Sequence, residues 1–205
     1  MDKQVDKSHY FNQKYNHKAR WLSYWYQIDL VLSTGAKSIL EVGLGAGIVK
    51  KYLDSVVEEV KTLDIDSELN PDIIGSVEKM SIEDKRFDCI LAAEVLEHIP
   101  YERFKDTLKE IARVSRKWAI ISLPDSRRTI CSWYWKIPFL SPIIVLWKIN
   151  RREKHRFDGQ HYWEIGKQEY SLERIKSDII NSGWKIIKSF TPQDVPTKHF
   201  FLLEK

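Results

Sequence analysis

A chain of 205 residues is long enough for one sizeable core, and 43% hydrophobic with 30% charged residues excludes a disordered chain. Thirty-three Lys and Arg against 29 Asp and Glu leave a net charge of +4, too small an excess to argue for a nucleic-acid binder. Cys89 and Cys131 form neither a CxxC pattern nor a disulfide framework, which points to a reducing compartment.

The chain begins with a polar stretch, MDKQVDKSHYFNQKYNHK, without the apolar segment of a secretory signal. Residues 8–34 are aromatic-rich and compatible with helix, and they end at Ser33-Thr34-Gly35. Residues 1–35 therefore read as a helical cap that closes over a ligand. SILEV, residues 38–42, is a short apolar strand running into Gly43-Leu44-Gly45-Ala46-Gly47. Helical spacing of Ile48, Val49, Tyr52 and Leu53 follows. VKTLDID (60–66) reads as a second strand with acids at its end, and DIIGSV (72–77) as a short third. FDCILAAEVLEHIP starts as a fourth strand over 87–92. Residues 101–116 are amphipathic, with Phe104, Leu108, Ile111 and Val114 on one helical face. WAIISLPD (118–125) is a fifth strand, stopped by Pro124.

Residues 126–170 show no clear period and read as an inserted lid or acceptor region over the ligand edge of the sheet. The chain has eight tryptophans, several of them in WYWKIPFLSPIIVLWKI, residues 133–149. Lys136, Pro138 and Pro142 interrupt that stretch, which argues against a membrane-spanning helix. Arg127 and Arg128 precede it, and Lys148, Arg151, Arg152 and Lys154 lie at or beyond its end. Aromatic residues flanked by cations suit a membrane surface, stacking on nucleic-acid bases, or a lid that lines an apolar acceptor pocket or a homodimer contact. The lid or dimer reading is preferred, and nucleic acid is the least favoured.

SLERIKSDIINSG is a helix with Gly183 as its C-cap. WKIIKSFT (184–191) and HFFLLEK (199–205) follow as strands with no helix between them, so an antiparallel pair is allowed. Strands alternating with helices over the rest of the chain predict a parallel sheet covered on both faces, in one domain.

Ligands of such sheets bind beyond the carboxyl ends of the strands. The glycine turn sits at one of those ends. It does not fit the dinucleotide pattern GxGxxG, because Ile48 stands where the third glycine belongs. The pattern is ExGxGxG with Glu41 leading, and an acid there suits an ammonium or sulfonium ligand better than a phosphate. Asp64 ends the second strand, where a carboxylate can accept hydrogen bonds from ribose hydroxyls. Asp66 is the alternative.

ILEVGLGAG, TLDID, GSVEKM, FDCILAAEVLEHIP and WAIISLPD, in this order, resemble the successive motifs of class I S-adenosylmethionine-dependent methyltransferases. The resemblance covers residues 36–125 and extends to the closing strand pair. It implies an α/β, doubly wound, mostly parallel seven-stranded sheet with an antiparallel last strand, in a single domain over 1–205. It implies that Glu41 holds the methionine amino group of the cofactor. Gly43, Gly45 and Gly47 would let the backbone pass its methionine and ribose portion. Asp64 would bind the ribose, Ile65 would pack on adenine, and Val77 would meet the adenine edge. Ser76 stands where the family often has an acid that reads the adenine amino group. Glu94 would lie near the methionine moiety.

Methyl transfer from S-adenosyl-L-methionine is an in-line displacement that asks mainly for alignment. A base is needed where the acceptor must lose a proton. His98 and His161 are the candidate catalytic residues. Glu94, Glu97 and His98 could also hold a divalent ion, as in RNA 3′-terminal 2′-O-methyltransferases and some quinone-pathway O-methyltransferases, with His161 or His155 completing the set. No metal is expected here. FDGQHYWEIG is similar to a stretch of bacterial and archaeal methyltransferases of unassigned substrate. The expected activity is methyl transfer to a small-molecule or lipid-linked acceptor, on oxygen. The expected setting is a cytoplasmic protein with a peripheral membrane contact through 133–149. A metal-dependent RNA 2′-O-methyltransferase and a non-catalytic cofactor-binding domain are the alternatives.

Overall fold

The computed structural model describes residues 6–151 and 153–205. The first five residues of the polar N-terminal stretch, and Arg152 of the basic flank, lie outside the described residues.

Seven strands form one sheet. They are β1 (Ser38–Val42), β2 (Glu59–Asp64), β3 (Ile73–Ile74), β4 (Phe87–Ala93), β5 (Ser115–Pro124), β8 (Lys185–Phe190) and β9 (Lys198–Glu204). A separate hairpin supplies β6 (Arg128–Trp135) and β7 (Ile143–Ile149). The sheet order is β3-β2-β1-β4-β5-β9-β8. β1 lies parallel between β2 and β4, and β5 continues the parallel set beside β4. β9 is antiparallel to both β5 and β8, so the last strand in the chain is the one that runs backwards.

Four helices, α1 (Lys18–Ser33), α2 (Ile48–Leu53), α3 (Phe104–Val114) and α4 (Leu172–Asn181), cover the faces. Strand side chains alternate between two cores. Leu40, Val42, Ile90 and Ala92 face one way, toward Phe104, Leu108 and Ile111 of α3 and Ile175 and Ile179 of α4. Ile39, Cys89 and Leu91 face the other way, toward Leu30 and Val31 of α1 and Val49 and Leu53 of α2. All five residues of β1 are buried, as a central strand covered on both faces requires.

Several boundaries differ from the sequence expectation. Residues 8–34 divide into a 3-10 turn, Lys7–Phe11, and α1. The helix expected at 101–116 starts as a 3-10 turn at Tyr101–Arg103, and β5 already begins at Ser115. The third strand pairs only over Ile73–Ile74. The largest difference is in 126–170, where β6 and β7 form an antiparallel hairpin. No helix among the described residues is long and apolar enough to cross a membrane.

The hairpin stem is tied to the sheet through Asp125, which is buried at the end of β5. Its carboxylate accepts from Arg127 at 2.8 Å, from Lys148 of β7 at 2.7 Å and from the Thr191 hydroxyl at 2.9 Å. Burial opposes its charge, but Arg127 and Lys148 hold its pKa below the ordinary range.

Candidate active site

β1 ends in a turn whose three glycines all have positive φ: Gly43 at 82°, Gly45 at 52° and Gly47 at 69°. At Gly43 a Cβ would stand 2.6 Å from Val95 Cγ2, so any side chain there would have to displace Val95. The turn is fixed from β2. The Gly43 N–H donates to Leu63 O at 2.9 Å, and the Leu44 N–H donates to Asp64 Oδ2 at 2.8 Å. The other Asp64 oxygen accepts the Asp66 N–H at 2.9 Å. The chemistry of a strand-end acid thus starts by ordering the glycine turn itself.

Around this turn lies a cavity of about 510 Å³. Glu41, Gly43, Gly45, Gly47, Asp64, Ile65, Val77, Glu94, His98 and His161 all line it, as does Asp66. Ser76 is not among the lining residues. Its Oγ accepts the Glu78 N–H at 3.2 Å instead.

Glu41 is buried under the turn, and its Oε2 has no hydrogen-bond partner among the described residues. Burial pushes its pKa up to about 8. Glu94 has a left-handed backbone, φ 56°, at the end of β4. Its carboxylate accepts from Ser122 Oγ at 3.0 Å and from Lys198 Nζ on β9. Burial works against its charge, and Lys198 more than offsets that, so its pKa is lowered.

Glu97 is fully buried, and neither of its oxygens has a hydrogen-bond partner among the described residues. Burial first, and the neighbouring Glu94 charge second, raise its pKa to about 8. The His161 ring faces it, with Nε2 at 4.0 Å from Glu97 Oε1. His161 Nδ1 meets Glu164 Oε1 at 2.9 Å. Burial favours the neutral His161 ring, but Glu164 and Glu97 together raise its pKa.

His98 Nδ1 lies 3.0 Å from the Gln160 carbonyl. A carbonyl only accepts, so Nδ1 carries the proton and the neutral ring keeps its lone pair on Nε2. Burial lowers the His98 pKa, which favours that neutral form. The two imidazoles meet edge to face with centroids 5.2 Å apart. The segment bearing His161 is held in place by Tyr162 N–H to Glu97 O at 2.8 Å and by buried Trp163, whose Nε1 donates to Ile99 O at 3.0 Å. Ligand atoms of Glu97, His98 and His161 lie within 4.8 Å of one another, and so do those of Asp158, His161 and Glu164.

The N-terminal segment closes the other side with His9, Tyr10, Tyr15, Arg20, Tyr24 and Gln27. Tyr10 lies over the glycine turn, 3.8 Å from where a Gly45 Cβ would be. The Arg20 guanidinium stacks 4.3 Å from the Tyr15 ring centroid, and its Nε has no partner.

Residues 40–123 match the methyltransferase domain family. The match runs from β1 to β5 and contains the glycine turn, Asp64, Glu94, Glu97 and His98. Over this stretch the chain is similar to a methyltransferase domain. Solved structures of S-adenosylmethionine-dependent methyltransferases share the fold of this chain at low identity. The 1,6-didemethyltoxoflavin-N1-methyltransferase of Burkholderia thailandensis, with bound 1,6-didemethyltoxoflavin and S-adenosylhomocysteine, is 14% identical with a TM-score of 0.64 over 97% of this chain and 84% of its own. Magnesium protoporphyrin IX methyltransferase from Synechocystis PCC 6803, with bound S-adenosylhomocysteine, is 12% identical with a TM-score of 0.63 over 100% and 90%. A methyltransferase from Aquifex aeolicus is 16% identical with a TM-score of 0.59 over 98% of each chain. No curated protein matches the sequence.

The chemistry of the cavity suits S-adenosylmethionine. A buried carboxylate oxygen without a partner at Glu41 awaits a cation. A Cβ at Gly43 would press on Val95, which lines the same cavity. Sequence reasoning placed Tyr10, Tyr15 and Arg20 in a segment that closes over the ligand without singling them out, and it did not find Lys198. Lys198 arrives from the last strand, and none of the four carries a local motif.

Proposed function

We propose that the enzyme methylates an oxygen of a small or lipid-linked acceptor. S-adenosylmethionine, when bound, supplies a methyl group already activated on a sulfonium. The chain's residues hold and align. Glu41 receives the ammonium of the methionine portion, and Gly43, Gly45 and Gly47 give its backbone room. Arg20, with an unpartnered Nε, suits the carboxylate of the same portion. Asp64 accepts from the ribose, Ile65 and Val77 flank adenine, and Ser76 supports the loop beside them. Glu94, already neutralised by Lys198, adds shape rather than net charge. The N-terminal cap, residues 1–35, excludes water, and 126–170 forms the acceptor side of a single domain.

One observation carries the choice of oxygen. His98 lines the cavity, and Gln160 fixes its proton on Nδ1, which leaves Nε2 the basic nitrogen of the neutral ring. That is a base for a hydroxyl. His161, whose pKa is raised by Glu164 and Glu97 against its burial, favours positive charge near the acceptor, which would steady the developing oxyanion. Two of the similar structures are named for small-molecule acceptors, a didemethyltoxoflavin and magnesium protoporphyrin IX, which supports a small acceptor here. The test is methyl transfer from labelled cofactor to panels of phenols, amines and lipid extract. Phenolic or lipid hydroxyls should be methylated, and His98→Gln should lower kcat about 10²–10⁴-fold, as loss of a positioned base does. Exclusive N-methylation that ignores His98→Gln would overturn the assignment.

A second reading rests on the Glu97, His98 and His161 cluster, which has the donor set of a divalent cation site. It makes the enzyme a metal-assisted RNA 2′-O-methyltransferase. Turnover would then need Mg²⁺ or Mn²⁺ and stop with chelator, and RNA binding would weaken steeply with salt.

A further inference from the structure

The hairpin β6–β7 leaves apolar side chains in water on a scale the rest of the surface does not match. Trp133 is 71% exposed, Trp135 69%, Trp147 61% and Tyr134 59%, and Phe139 at the tip is fully exposed. Cross-strand register assigns their faces. Trp133 stands opposite Val145, Trp135 opposite Ile143, and Trp147 opposite Cys131, so these share one face. Tyr134 and Ile144 share the other, and both are open as well. Nearer the stem, Leu146 is half-buried and Ser132 Oγ accepts from Gln193 Nε2 at 2.8 Å, so the outer half is what projects. At about 3.3 Å per residue, eight residues of β6 reach roughly 25 Å.

The cations complete the pattern. Residues 126–157 contain eight Lys or Arg and one acid, Glu153. Arg127 and Lys148 are committed to Asp125. Arg128, Arg151, Lys154 and Arg156 are exposed around the stem, and Lys136 is exposed near the tip.

We infer that the outer half of this hairpin docks the enzyme on an anionic lipid bilayer, with Trp133, Trp135, Phe139 and Trp147 in the headgroup region. A protein partner covers one face of a ribbon. Lipid surrounds it, and here both faces and the tip are apolar. Trp and Tyr are the side chains that favour the membrane–water interface. The stem cations then meet anionic headgroups. The ribbon's two outer edges carry unpaired backbone groups, which keeps it out of the hydrocarbon centre and at interfacial depth. The stem emerges at Pro124, Asp125 and Ser126, which line the cavity, so docking brings the cavity mouth to the lipid surface. The purpose of the device rests on the proposed lipid-linked acceptor, whereas the binding itself does not.

The test is cosedimentation of the full chain, without cofactor or acceptor, with vesicles of equal parts phosphatidylglycerol and phosphatidylcholine. The protein should bind, with tryptophan emission shifting to the blue and being quenched by brominated lipid. Pure phosphatidylcholine and high salt should each weaken binding, and Trp135→Glu/Phe139→Glu should weaken it roughly tenfold or more. Unchanged S-adenosylhomocysteine affinity of that variant certifies its fold. The proposal is overturned if the wild type shows neither cosedimentation nor an emission shift. A hairpin-mediated dimer in solution that the variant dissociates, without vesicle binding, overturns it in favour of a second copy of the chain. Failure of either kind leaves methyl transfer, measured on soluble phenols, untouched.

Discussion

Glu41 and Glu97 set the behaviour of the site residue by residue, because each is a buried carboxyl with a pKa near 8. In the free enzyme Glu41 is largely protonated below that pH. Binding of an ammonium group favours its carboxylate, so binding releases a proton. Affinity for S-adenosylhomocysteine should therefore rise by roughly tenfold or more from pH 6 to pH 8. Glu41→Gln should bind more weakly and flatten that slope, as titration calorimetry at several pH values will show. A slope that survives in Glu41→Gln would give the proton to another group. Glu41, the glycines and Asp64 were legible in the sequence because a strand end and its turn are contiguous. Lys198 was not, since its meeting with Glu94 spans 104 residues and depends on β9 lying beside β5.

Elements were legible in proportion to how one-sided their burial is. α3 buries Phe104, Thr107, Leu108, Ile111 and Val114, and its period is visible in the sequence. β6 and β7 have no consistently buried face, so no apolar–polar alternation is written in them, and the hairpin went unseen. The N-terminal segment presents another contrast. Its 3-10 turn buries no side chain, yet Tyr10 lies on the glycine turn. Such an element contributes to the ligand site and little to the fold. Deleting residues 1–16 should leave the melting temperature of the free protein nearly unchanged. It should raise the dissociation rate of S-adenosylhomocysteine roughly tenfold or more in stopped-flow measurements, as expected for loss of a lid. A large drop in melting temperature would instead make the segment part of the core.

Across the whole molecule, buried titratable groups pull stability in opposite directions with pH. His199 on β9 is buried beside Arg127 and hydrogen-bonds Ser189 and Thr191, and burial lowers its pKa to about 3. Its unfolded counterpart titrates near 6.5. Stability is therefore lost as pH falls from about 6.5 toward 3, where only the unfolded chain takes the proton. Glu41 and Glu97 act in the other sense. Their folded pKa values of about 8 lie above the unfolded value, so their full contribution is present at low pH and is lost as pH rises toward 8. Two carboxyls outweigh one imidazole over the range they share, and the paired acids such as Asp125 lose their contribution only at lower pH. The stability maximum should lie on the acid side of neutrality, with a decline from about pH 5 to pH 8 in urea unfolding. Glu97→Gln should recover roughly 2–4 kcal/mol at pH 8, much of the penalty of ionising a buried carboxyl, and change little at pH 5. His199→Gln, which keeps a hydrogen-bonding side chain, should flatten the acid limb and leave the alkaline limb intact. A wild-type decline toward pH 8 that Glu97→Gln does not alter would mean that water reaches this carboxylate in the folded enzyme, and the site would then be more open than its burial indicates.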